Sequence, residues 1–495
     1  MTATAGPEVI ADVSALRERV AADVNAGGRL ADLFATARSD GLLITAQVAS
    51  RGGITTLDAL LPPGQHSFPA LTPLVRAAFW YEREIHDLFG VVPTGHPRLE
   101  PLVLPVSGGE LPRPGSGRQP GAIYPDPGAL PLHVVGPGLF TIPHGPVRSG
   151  IVESIEYLVE TPGEDIPHLN MRPFYKHRGI AKRFDGLRPA DGALLAERAE
   201  GIASVAHAMA YCQALEAIAG TEVPWRAALI RTLHAELERL ACHLDVIVRL
   251  ADGAGLAVAT ARFGWHKERV LRLTGKLCGS RFGRGVVIPG GVAAAPLVAP
   301  MQMLAAVGGL DREVSSDIRL LMGSASFLDR LRRTGPLETG RAAEHGALGP
   351  IGRASGQTDD ARLQRPYAAY GSLGLTVSSR TDGDALARLE VRIGEIESSV
   401  HLLRQVIDEL AEAESDALRT DCRVADGRAL AWTEAPQGEV LYDVRVEDGR
   451  ITRCRSRSAS FHNLVLMHEV FAGDILTDFP FIEASFGLSV AGAAG

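Results

Sequence analysis

The sequence predicts an α+β fold: a small N-terminal α/β domain, then a larger and mainly helical domain that carries small β-sheets. Three observations lead there. The chain has 495 residues, more than one hydrophobic core holds, since single cores stop growing near ~250–300 residues. Early segments alternate apolar and polar residues, whereas the long later segments space apolar residues by three and four. Between them lies a stretch too rich in Pro and Gly to form either element.

Residues 1–105 hold an amphipathic helix predicted from Val9 to Ala22 and alternating stretches such as GLLITAQVAS that read as strands. Residues 106–138, VSGGELPRPGSGRQPGAIYPDPGALPLHVVGPG, form a linker: at this density Pro and Gly leave few backbone donors for a ladder. Residues 139–495 form the second domain, with helices predicted over 193–219, 224–252, 258–278, 299–333 and 382–418. IEYLVE and VLYDVRVEDGRITRCRS read as small sheets, with a hairpin turn at VEDGRI. No internal repeat is present.

A hydrophobic fraction of 46% and a charged fraction of 22% are those of an ordinary globular protein. A net charge of −8 and the lack of a basic, aromatic-interleaved cluster argue against a nucleic-acid partner. Five cysteines, Cys212, Cys242, Cys278, Cys422 and Cys454, are scattered singly and read as small buried hydrophobes. The N-terminal stretch has acids before any apolar run, so no secretory signal is expected. No apolar run reaches the ~18 residues of a membrane span. A cytosolic protein, or one peripheral to a membrane, is expected.

WYEREIHDLFGVVPTGHPRLEPLVLP, Trp80 to Pro105, gathers Glu82, Glu84 and Asp87 around Arg83, breaks at Gly90 and turns at Gly95-His96-Pro97. Taken alone it reads as a solvated, charged helix end. Its order and spacing, however, resemble the signature of the 30 kDa-type subunit of respiratory complex I, where it is a docking and structural element. The second domain then looks like that subunit's partner. IPHGPVRSGIVESIEYLVETPGEDI, FYKHRGIAKRF, VPWRAALIRTLHAELERLACHL, CGSRFGRGVVIPGGV, GPIGRASGQTDDARLQRPYAAYG and EAPQGEVLYDVRVEDGRITRCRSRSASFHNL run in the order of the complex I 49 kDa-type subunit. They resemble equally the large subunit of membrane-bound nickel–iron hydrogenases of the formate hydrogenlyase type. The resemblance covers nearly the whole chain.

A nickel–iron centre takes four thiolates, because a soft metal wants soft ligands, and these families supply them as two CxxC pairs. By the resemblance the first pair falls on Glu200 and Ala203, the second on Ser489 and Gly492, and none of the four is cysteine. A nickel–iron centre is therefore expected to be absent and no metal ligand is assigned. Complex I relatives use the vacated cavity for a quinone headgroup, with a tyrosine and a histidine as donors. Here the tyrosine position falls on Gly201, and no histidine stands between Val147 and Pro167. Tyr211 reads as a packed amphipathic aromatic.

The same resemblance marks Glu153 and Glu200 as candidate proton-relay carboxylates, since a buried acid with a raised pKa suits relay work. His177, Arg178, Arg281 and Arg353 are expected to line the cavity, with Asp359 and Asp360 on a neighbouring loop. Gln437 stands where hydrogenases place an arginine. Glu236, Glu238, Arg239 and His243 share helical spacing and read as an intrahelical charge network. His266 and His462 read as satisfied lone histidines.

The resemblance implies an electron-transfer oxidoreductase subunit of a membrane-associated hydrogenase-like or NADH–quinone oxidoreductase-like complex, cytoplasmic and peripheral to the inner membrane as part of that complex. It would bind no cofactor itself, dock on a small iron–sulfur subunit that holds the cluster, and couple to antiporter-like and other membrane subunits, with a quinone-like substrate. The alternative is a non-catalytic scaffold coupling the iron–sulfur subunit to the membrane arm. No G-x-G-x-x-G follows a strand, so nothing in the chain itself points to nicotinamide.

Overall fold

Asp12 sets the start of the first helix. Its backbone is extended and its carboxylate accepts from the Ala15 amide at 2.9 Å, capping Val13–Asn25. The helix predicted from Val9 therefore begins four residues later, and Val9 lies instead in a strand, Glu8–Ile10, paired in parallel with Gly53–Leu61. That strand edges a four-stranded sheet in the order Glu8–Ile10, Gly53–Leu61, Gly41–Ser50, Arg29–Arg38. A computed structural model describes residues 6–104, 136, 138–148, 152–413 and 415–495. The expected linker, 106–138, lies outside the described residues except for 136 and 138.

The charged motif forms the helix Phe79–Phe89, stopped by Gly90 in the left-handed region at φ 71°. Its charges are buried, which corrects the solvated reading. Glu82 accepts from the Leu71 and Thr72 amides and the Thr72 hydroxyl, and Asp87 accepts from the Leu102, Val103 and Leu104 amides. Arg83 donates to the Glu100 and Pro101 carbonyls. Each side chain thus satisfies backbone that forms no ladder, as buried polar groups require.

The helical part is built around Trp225–Gly253, which is buried on nearly every turn. It packs against Ala257–Cys278, Ala385–Glu412 and Phe479–Phe486. Two predicted helices are interrupted. The segment 193–219 becomes Pro189–Ala196 and Ser204–Ala219, with a turn that carries Glu200; 299–333 becomes Pro300–Met322 and Ala325–Leu331. The predicted hairpin is present in an antiparallel sheet of Gly427–Ala435, Gly438–Glu447 and Arg450–Arg457. Asp448 and Gly449 turn at φ 49° and 67°, two consecutive left-handed residues that match the sheet's twist.

The two sheets meet across a polar seam. Arg455 grips Asp32 through two 2.9 Å bonds, and Arg428 bridges Asp58 and Asp443 at 2.6 and 2.8 Å. Gln47 donates to Asp443 at 2.8 Å. Apolar packing is continuous there too: Phe461, Phe486 and Ile482 share one core with Leu16, Ile44 and Trp80. Among the described residues, no helix is long and apolar enough to cross a membrane.

Candidate active site

The turn before Ser204–Ala219 points Glu200 inward, where it is 1% exposed. Its Oε2 lies 3.2 Å from His207 Nε2 and its Oε1 accepts from Ser460 Oγ at 3.0 Å. His207 Nδ1 lies 3.0 Å from the Tyr442 hydroxyl. Ser460 Oγ also accepts from the Ser489 amide at 3.1 Å, which ties the Glu200 turn to the C-terminal helix Val490–Ala494. Ser489 Oγ donates to Glu153 at 3.0 Å, and Glu153 accepts from the Ala491 amide at 2.6 Å.

His177 and Arg178 hold the same segment. His177 Nδ1 donates to the Ala494 carbonyl at 2.7 Å. The Arg178 guanidinium donates to the carbonyls of Ala199 and Ala491 at 2.5 and 3.0 Å, joining both sides of the site. Burial lowers the Arg178 pKa, opposed by the carboxylates of Glu153 and Glu200. The fold therefore brings Glu153, Glu200, His177 and Arg178 to one place.

That place is full. A Cβ added to Gly492 would stand 2.5 Å from Glu200 Oε2. Ser489 Oγ is spent on Glu153 and on the Gly492 amide, and Ala203 is a buried methyl. One carboxylate, one hydroxyl, a methyl and a hydrogen do not fit a nickel–iron group, whose soft metals want thiolates. Among the described residues, no three or more His, Cys, Asp or Glu side chains cluster to hold a metal ion.

On the other side of the Glu200 turn, Gly201 and Ile202 line a largely apolar cleft of about 100 Å³ between Trp225–Gly253 and Ala257–Cys278. Glu238 and His234 face it from one helix, one turn apart. Glu238 accepts from the Val205 and Ala206 amides at 2.7 and 3.1 Å. Burial, reinforced by the nearby charge of Glu200, pushes Glu238 up to about 8 although those two amides oppose it. His234 is 2% exposed, its Nδ1 has no partner, and burial pushes it down to about 4. Arg281 lines the mouth while paired with Glu268. Gln437 donates to Cys242 Sγ at 3.0 Å, and burial raises that thiol to about 12.

Glu238 and His234 were not singled out by the sequence as cleft residues. Glu238 leaves the expected intrahelical network altogether, and the remainder of that network runs mainly between elements. Glu236 pairs with Arg239 at 3.4 Å on its own helix and with Arg362 at 3.1 Å, while His243 meets Glu395 at 2.8 Å. Arg353, expected at the cavity, lies in this network instead, fully buried and bonded to Glu395 at 2.7 Å and Glu434 at 3.0 Å. The carboxylates of Glu395, Glu434 and Asp360 draw its guanidinium inward, away from the cleft. Tyr211 donates to the Pro189 carbonyl, His266 pairs with Asp317 at 2.7 Å, and His462 contacts the Tyr81 hydroxyl at 2.8 Å, all packed as expected.

Two families of known proteins match the chain. The family described as "Respiratory-chain NADH dehydrogenase, 49 Kd subunit" matches residues 256–421 and 416–493, and "Respiratory-chain NADH dehydrogenase, 30 Kd subunit" matches residues 20–112. Formate hydrogenlyase subunit 5 of Escherichia coli (strain K12) is 27% identical over 84% of this chain and 75% of its own length. An NADH-quinone oxidoreductase D-type subunit of Streptomyces griseus subsp. griseus is 30% identical over 65% of this chain and 84% of its own length. Among solved structures, a chain of the membrane-bound sulfane sulfur reductase, an archaeal respiratory membrane complex, superposes with a TM-score of 0.68 at 25% identity, over 73% of this chain and 100% of that chain.

Proposed function

Because this chain belongs to the family of the respiratory-chain NADH dehydrogenase 49 Kd subunit and membrane-bound hydrogenase subunits, with a 30 Kd-subunit region fused ahead of it, we propose that it acts as the substrate-handling subunit of a membrane-associated respiratory oxidoreductase. In this reading it carries no nickel–iron centre, docks on an iron–sulfur subunit and membrane subunits, and reduces a quinone-like molecule held in the cleft beside Gly201 and Ile202.

The observation that carries the reading is Glu238: a carboxylic acid raised to about 8, facing a small apolar cleft beside the turn where metal ligands would have stood. Such an acid keeps its proton at neutral pH and is matched to general acid work. The free His234 Nδ1 offers a hydrogen bond to a carbonyl oxygen of the ring. Reduction of a quinone to the hydroquinone takes two electrons and two protons. An iron–sulfur partner would supply both electrons; Glu238 is placed to give one proton, and the second would enter from solvent at the mouth of the cleft. Burial keeps Glu238 protonated, with a smaller push from the charge of Glu200, packed behind Gly201 with His207 and Ser460.

The test is quinone, formate and hydrogen turnover of the purified complex, with Glu238→Gln and Glu200→Gln beside wild type, together with nickel analysis. Quinone turnover that Glu238→Gln abolishes supports the reading. Stoichiometric nickel, or unchanged quinone turnover in Glu238→Gln, sinks it. A scaffold role is favoured by one observation, the closing of Glu153 and Glu200 against Ser489 and Gly492; under it, every variant of the cleft leaves turnover intact.

A further inference from the structure

A cavity of about 750 Å³ opens away from the cleft, where the turn after Val13–Asn25 and the first sheet meet the loop 357–359. A space of this size holds a small metabolite. Its wall is unusual in charge. Arg29 and Arg365 line it, and with Arg457 behind them they converge on Glu439. Asp359 joins them, pairing with Arg29 at 3.2 Å and with Arg365 at 3.8 Å, and Glu344 lines the same cavity against Arg76. Three guanidiniums therefore meet two carboxylates, Glu439 buried and Asp359 partly open to solvent.

Excess buried charge is costly unless an opposite charge completes it. Asp359 keeps part of its carboxylate open to the cavity, 26% exposed beside Arg29. At the mouth, Arg51 is exposed and forms no ion pair among the described residues, whereas Arg76 is occupied by Glu344 and Glu469. Gln357, Thr358 and Gln364 line the same space with polar ends that make no side-chain hydrogen bond among the described residues. No aromatic ring lines the cavity among the described residues, so nothing would stack on a base.

We propose that this cavity binds a small hydroxylated anion of the sugar phosphate or hydroxy-polycarboxylate class. The anionic group answers the excess of arginine on this wall and pairs with Arg51, a hydroxyl donates to the exposed part of the Asp359 carboxylate, and the amides hold the polar body. The site is independent of the cleft and of the redox reading.

Glycerol 3-phosphate, citrate and inorganic phosphate, titrated into the full chain by calorimetry at low ionic strength, test it. The two hydroxylated anions should bind more tightly than phosphate and raise the melting temperature. Arg51→Gln, a surface change that leaves the fold alone, should weaken all three several-fold. Asp359→Asn, which keeps an acceptor for Arg29, should erase the preference over phosphate. The site is refuted by no heat and no rise in Tm with any probe, or by Arg51→Gln binding like wild type. Phosphate binding as tightly as the other two overturns the ligand class.

Discussion

Gly492 and Glu200 are packed against each other so closely that a β-carbon on Gly492 would lie 2.5 Å from the Glu200 Oε2 atom. Glu200 cannot swing away freely, because His207 and Ser460 hold its two oxygens. Gly492→Ala should therefore destabilise the protein by about 1–3 kcal/mol, the usual cost of overpacking a filled site. Chemical denaturation measures it, and an unchanged midpoint would show that the turn yields.

Glu238→Gln removes the titratable proton at nearly the same shape. Val205 and Ala206 donate to separate oxygens of Glu238, so the glutamine oxygen keeps one of these bonds and its NH2 faces the other amide. Loss of a general acid should lower turnover by about 10²-fold or more. The pH dependence of stability follows from the same group. The native chain holds a proton up to about pH 8 that the unfolded chain releases near the ordinary glutamate value of 4.5. The native state thus binds more protons between these limits, and stability falls as pH rises through that window. Thermal melts of Glu238→Gln should lose this part of the slope.

Arg353→Met should cost about 3–5 kcal/mol, because it leaves Glu395, Glu434 and Asp360 buried with fewer cations. Burial alone would raise Glu395, yet Arg353 and His243 hold it well below the usual range. Arg353→Lys should not restore stability, since one ammonium cannot serve Glu395 through two nitrogens and Glu434 through a third. Urea titration of both variants decides it.

Asp87→Ala should destabilise by about 1.5–3 kcal/mol, the scale for hydrogen bonds to a charged group. Three amides, Leu102 to Leu104, lose a shared acceptor together. Hydrogen exchange at those amides should speed up while the helix Trp225–Gly253 stays protected.

Periodicity made the long helices legible, and Trp225–Gly253 lies within a residue of its predicted bounds. It did not reveal where helices stop for local reasons. The extended backbone at Asp12 moved the first helix, and the inward-facing Glu200 split 193–219. Glu82 and Asp87 look like surface charges because their partners are backbone amides, which no residue type announces. Glu238 was hidden for a related reason. Its place among Glu236, Arg239 and His243 suggests an intrahelical charge network, whereas its carboxylate turns to the amides of Val205 and Ala206, 33 and 32 residues earlier. Arg353 lies away from the cleft because Glu395 and Glu434, 42 and 81 residues later, join Asp360 of the adjoining loop in holding it.

The seam between the two sheets bears on how such a protein is made. Asp32 and Asp58 belong to the first sheet, and their arginines, Arg455 and Arg428, arrive with the last strands translated. Until then the N-terminal segment carries acids without these counter-ions, and its core lacks Phe461 and Phe486. Completion of its folding has to wait for the ribosome to reach them. A single reading frame resolves the wait by delivering both halves in equal number and at one place, so that neither accumulates as an unpaired, aggregation-prone intermediate.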